Sequence, residues 1–185
     1  MKYDFKTVVN RRHTDSVKWN IQDNELPMSI ADMDFKTAPE IILAMQEKLK
    51  LGAFGYEEAG EDYFNAVSSW YQLEHGANAD PTWMIFVTGV VPAISSIIRR
   101  ISHIGDNVLV QEPVYNIFYN SIENNGRHIL SSDLSYHDGK YEINWQDLEN
   151  KLANPLTTLM LFCNPHNPTG IVWSRSEVER IAALC

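Results

Sequence analysis

Residues 163–170 read CNPHNPTG and follow the apolar run TTLMLF at 157–162. Proline supplies no backbone donor and glycine leaves regular geometry, so this is a shaped loop at the carboxyl end of a strand, where open α/β sheets place ligands. Asn164 and Asn167 each carry an amide able to donate to an anionic oxygen, and Asn167 is restrained by the proline after it. Either asparagine can instead tie its own loop together. In TGVVPAISSII, Gly89 follows a strand-like run and Pro92 falls in the first turn of the next helix. The amides of Gly89, Val90 and Val91 are therefore candidates to converge on a phosphate at the positive helix end. The alternative is an ordinary turn whose glycine only relieves crowding. The stretch lacks the lysine and second glycine of a Walker loop and does not match G-x-G-x-x-G. In EPVYNIFY, Tyr115 stands behind Pro113 where a strand gives way to a helix, so its ring can cover a planar ligand at the same sheet edge or join the core.

Other candidates are weaker. ADMD at 31–34 is a D-x-D pattern of the kind that binds magnesium in some transfer enzymes, but two carboxylates do not complete a magnesium shell. The six histidines show no H-x-x-x-H spacing, and Cys163 with His166 cannot fill a zinc shell. No metal is expected.

These stretches need elements to position them, and the pattern alternates between helix and strand. TAPEIILAMQEKLKLG predicts a helix, with Thr37 and Glu40 as a capping box, Ile42, Met45 and Leu49 on one face and Gly52 at its end. A second helix is predicted from Asp62 to about Glu74. WMIFVT, then PAISSIIRRISHIG, then NVLVQ reads as strand, helix and strand, one βαβ unit. VYNIFYNSIENNG continues as a helix ending at Gly126 and RHILSS as a strand, and Asp138-Gly139 marks a tight turn. Asn144 caps a helix running through Leu152. TTLMLFC lacks polar alternation, as expected of a parallel strand covered on both faces. The fold class is α/β, a three-layer sandwich with a mostly parallel sheet. Ser174 and Glu177 form a capping box for a last helix that lacks a C-cap, so the chain is expected to be the amino-terminal part of a longer protein.

Composition narrows the function classes. Of 185 residues 44% are hydrophobic and 21% charged, which is globular rather than disordered. The formal charge of -9 disfavours nucleic acid, and no apolar run approaches the ~20 residues that span a bilayer. Cys163 and Cys185 form no disulfide framework and read as plain thiols, which points to the cytoplasm.

Taken together, NPHNPTG, TGVVPAI and PVYNIFY resemble the large domain of the fold-type I pyridoxal-phosphate enzymes, the aspartate aminotransferase superfamily. NRRHTDSVKW and MSIADMDF resemble its branch of cystathionine β-lyases and C-S lyases, with one departure: that branch commonly has glycine where His13 stands. The resemblance implies a small-domain and dimer-contact segment at 1–45 and the first part of a cofactor-binding large domain at 46–185. It implies that Gly89, Val90 and Val91 hold the phosphate of pyridoxal 5′-phosphate, that Tyr115 stacks on its ring and that Asn167 donates to its phenolic oxygen. Ala31 and Asp32 would line the substrate pocket. Tyr56 would reach the phosphate in a neighbouring subunit, making a homodimer, whereas without the resemblance it is a loop tyrosine packed locally. The implied reaction is β-elimination from a sulfur amino acid: loss of the α-proton, expulsion of thiol, release of pyruvate and ammonia. The Schiff-base lysine, the acid that pairs with the pyridine nitrogen and the arginine that grips the substrate carboxylate lie farther along in such enzymes. None is matched here, so the 185 residues alone are expected to be catalytically incompetent. The rival readings are an aminotransferase of the same fold and a non-catalytic binding or regulatory module.

Overall fold

The computed structural model describes residues 3–185, which form two compact units dividing between Glu58 and Ala59. Helix α1 (Pro39–Lys50) lies wholly within the first unit.

In the first unit, α1 starts with Pro39 at its first position and Ala38 as N-cap, with no side-chain cap. The expected Thr37–Glu40 capping box does not form. Proline sets the helix start one residue later than Thr37, and Glu40 accepts from the Tyr3 hydroxyl at 3.3 Å instead. Gly52, at φ 66°, closes the helix as expected.

In the second unit, α2 (Glu61–His75) ends at Gly76 and is followed by a 3₁₀ turn at Pro81–Trp83 and helix α3 (Val90–Ile101). Between that turn and α3, residues 84–88 were expected to be a strand, but they pair with no other strand among the described residues. A β-prone run becomes a strand only when a neighbour takes its backbone hydrogen bonds. Phe86 of this segment instead meets Tyr63 of α2, the two rings standing edge to face at 5.5 Å.

The remaining elements follow the expected order: β1 (Asn107–Val110), α4 (Ile117–Glu123), β2 (His128–Ser131), β3 (Ser135–His137), β4 (Lys140–Glu142), α5 (Trp145–Leu152), β5 (Thr157–Met160) and α6 (Arg175–Leu184). Strands β2, β1 and β5 lie side by side in that order, all parallel, with Leu109 opposite both Leu130 and Met160. Alternation along β1 builds two cores. Val108 and Val110 meet Ile98 of α3 and Ile122 of α4, while Leu109 meets Leu148 of α5, Ile181 of α6 and Trp173. That is the three-layer α/β arrangement with a parallel sheet. Hairpin β3–β4 turns at Asp138 (φ 49°) and Gly139 (φ 82°), the pair of positive φ values that a two-residue turn of matching twist requires. Asn144 caps α5 by accepting from the Asp147 amide at 3.2 Å, and Ser174 with Glu177 completes the capping box of α6. Among the described residues no helix is long and apolar enough to cross a membrane.

Candidate functional site

The carboxyl edge of the parallel sheet collects most of the candidate residues. Helix α3 runs back over the sheet and is followed by β1 after a short connection, so its N-terminus lies toward the edge where β1 and β5 end. Gly89 is its N-cap, at φ 157°, a value that side-chain-bearing residues rarely adopt. No side chain caps this end, and the amides of Val90 and Val91 have no acceptor within the helix. Pro92 brings no N–H. The first turn is thus an open set of donors at the positive end of the helix dipole.

Tyr115 follows β1 and is 42% exposed, its ring touching Phe118 only edge-on at 6.3 Å. It is not the core aromatic of the alternative reading. Asn167 follows β5, the parallel neighbour of β1, whose pairing continues past its end through Leu161 N–H to the Leu109 carbonyl at 2.9 Å.

The loop after β5 separates its two asparagines by function. The Asn164 side-chain oxygen accepts from the Trp173 amide at 3.2 Å, while the Trp173 indole donates to the Cys163 carbonyl at 3.0 Å. Asn164 is the loop-tying residue. The Asn167 backbone N–H is held by Cys163 Sγ at 3.3 Å, yet its side-chain amide takes no part in any hydrogen bond among the described residues and is exposed. Gly170, at φ 76°, closes the turn by donating to the His166 carbonyl at 2.7 Å. His166 was weighed only as a zinc ligand. It is instead buried, bonded to Gln111 and Thr169, and burial pushes its pKa below the usual histidine range.

In the first unit, Ala31 and Asp32 are both exposed. Around them is a charged knot that ties NRRHTDSVKW to MSIADMDF. Lys18, only 7% exposed, donates to the Asp32 carbonyl at 2.6 Å and to Asp34 Oδ2 at 2.8 Å. The Trp19 indole donates to Asp34 Oδ1 at 2.8 Å, and Arg11 bridges the Asp32 and Asp34 carboxylates. Lys18 first, then Trp19, holds the Asp34 carboxyl down to about 2. The carboxylates of D-x-D are thus occupied by cations and donors of their own chain, which explains the pattern without a magnesium ion. Tyr56 is fully exposed, so it is not packed locally.

The family model described as aminotransferase class I and II matches residues 23–185. The chain belongs to the aminotransferase class I and II family. This family member is 42% identical to cystathionine beta-lyase PatB of Bacillus subtilis, over 95% of the chain and 47% of that protein. It is 34% identical to protein MalY of Escherichia coli, over 99% of the chain and 49% of that protein. Its fold matches cystalysin from Treponema denticola, whose crystal structure contains pyridoxal 5′-phosphate, with a TM-score of 0.92 and 34% identity, over the whole chain and 49% of that one. The PLP-bound C-S lyase from Staphylococcus hominis matches with a TM-score of 0.88 and 30% identity, covering 98% of the chain and 48% of that one. The aminotransferase-family chain spans about half the length of the curated relatives it matches.

Proposed function

We propose that this chain supplies the phosphate, ring-face and phenolic-oxygen contacts for pyridoxal 5′-phosphate in an enzyme that eliminates thiol from a sulfur amino acid such as cystathionine. The observation that carries the reading is the division between the asparagines: Asn164 is spent on Trp173, while Asn167 keeps an open amide beside the strand end that presents Tyr115. The donor set fits the cofactor. Uncapped amides at Gly89, Val90 and Val91 suit a dianionic phosphate, the partly exposed Tyr115 ring suits an aromatic face and the Asn167 amide suits a phenolate oxygen. When bound, the cofactor supplies an electron sink for the bond from Cα to its proton. Tyr115 fixes the plane of that sink, and Asn167 Nδ2–H stabilises negative charge on the ring oxygen. Ala31 and Asp32 line the amino acid's pocket, with the Asp32 backbone held by Lys18. Tyr56 extends toward the phosphate in a second copy of the chain, making a homodimer in the cytoplasm. The segment 1–45 serves the small domain and dimer contacts.

The imine-forming lysine is not among these residues. Lys18 is committed to Asp34, and Lys151 is held by Asp147 at 2.8 Å. Binding is therefore the property to measure on this chain. In equilibrium titration with pyridoxal 5′-phosphate, N167A is expected to weaken binding about tenfold or more, as loss of a charge-assisted hydrogen bond does. N164A should lower thermal stability and change affinity less. Equal affinity of wild type and N167A would reject the assigned role. In a form spanning the relatives' full length, release of pyruvate and ammonia from cystathionine supports elimination, whereas transfer of the amino group to a keto acid without ammonia release rejects it in favour of an aminotransferase.

A further inference from the structure

His166 lies on the turn that carries Asn167, facing the end of β1, and is 2% exposed. Its Nε2 is 3.2 Å from the Gln111 carbonyl oxygen, and its Nδ1 is 3.0 Å from the Thr169 hydroxyl. A carbonyl can only accept, so Nε2 carries the proton and Nδ1 accepts from the Thr169 O–H. The ring stands edge-on to Trp173 with centroids 5.8 Å apart. Gln111 is the first residue after β1 and leads through Pro113 to Tyr115, while His166 directly precedes Asn167. The Gln111 side chain adds no second tie, because it is buried with both amide atoms unpartnered among the described residues. The imidazole is thus the side chain that joins the end of β1 to the turn after β5, and it does so with both ring nitrogens.

We propose that His166 is a positioning residue: by holding the Gln111 carbonyl and the Thr169 hydroxyl together, it sets the spacing between Tyr115 and Asn167 and so gives the site preference for a phosphorylated pyridine over phosphate alone. The proposal rests on the cofactor reading above. It makes a prediction that a merely stabilising histidine does not. Phosphate alone needs only the amides of Gly89, Val90 and Val91, so disturbing His166 is expected to weaken recognition of the ring and spare that of the anion.

The test titrates the purified 185-residue chain with pyridoxal 5′-phosphate and, separately, with inorganic phosphate. H166F keeps the ring against Trp173 and removes both hydrogen bonds, so it is expected to lose about tenfold or more in pyridoxal-phosphate affinity while phosphate affinity stays within about twofold. H166Q, whose carboxamide has a donor end and an acceptor end, should recover part of that loss. T169V removes one of the two bonds and should show a smaller loss of the same kind, which keeps the test decisive if H166F does not fold. Unchanged pyridoxal-phosphate affinity in the folded variants overturns the proposal, and so does a parallel loss of both ligands. Absence of saturable pyridoxal-phosphate binding by the wild type removes the cofactor reading and this inference together, whereas equal binding by wild type and variants removes this inference alone.

Discussion

His13 has φ 61°, in the left-handed region, at the position where the lyases that the sequence resembles commonly carry glycine. A side chain there costs on the order of 1 kcal/mol, partly offset by the extra freedom glycine gives the unfolded chain. H13G is accordingly expected to stabilise the protein by up to about 1 kcal/mol in urea denaturation. A clear loss of stability would mean that the imidazole holds its loop. Two of the groups that shape the acid side of the stability profile belong to the clusters described above. The Asp34 carboxyl, held to about 2 by Lys18, Trp19 and Arg11, takes up its proton more readily in the unfolded chain. Its contribution is complete above the ordinary aspartate value of 3.8 and is lost as pH falls toward 2. His166 has its pKa lowered by burial, so the unfolded chain also binds that proton first. Its contribution is complete above 6.5 and declines as pH falls below that value. Thermal melts across pH should show both declines. D34N should shrink the lower decline, to which the other aspartates with lowered pKa values also contribute, and H166Q should remove the upper one; an unchanged profile in either variant would contradict the corresponding assignment.

Among the elements, helix ends and the hairpin turn were legible because their signals are local. Ser174 and Glu177 lie three residues apart and close their capping box within one turn of α6, so S174A should cost about 1 kcal/mol, measurable by chemical denaturation. Asn144 and the Asp138-Gly139 turn were readable for the same reason. Two elements departed from expectation, each because something outside the local pattern decided. The start of α1 was set by Pro39, which made Ala38 the N-cap and left Glu40 to Tyr3. Residues 84–88 have the composition of a strand, but a strand is defined by its neighbour, and none pairs with them among the described residues.

Across the whole molecule, the second unit stands on two cores that share strand β1. Leu109 serves one side and Val108 and Val110 the other, and Leu109 is fully buried. L109A should therefore destabilise by about 3 kcal/mol, with the larger share expressed as a lower denaturant midpoint. A change below about 1 kcal/mol would mean that the core closes over the gap, contrary to close packing. The chain spans about half the length of its curated relatives. A lactate dehydrogenase-coupled assay on the purified 185 residues is expected to detect no sustained pyruvate formation from cystathionine, and turnover would refute that expectation.

The sequence by itself determined the alternation of helix and strand, most of the caps, the hairpin turn and the family motifs, because those depend on residues within a turn or two of one another. Which asparagine is free, what His166 does and why Asp32 and Asp34 stand together were decided by the tertiary structure. Asn164 finds Trp173 only after its loop closes, His166 finds Gln111 at a separation of 55 residues and Lys18 finds Asp34 at a separation of 16. Hydrogen bonds across such distances follow from strand pairing and loop closure, for which local propensity carries no term.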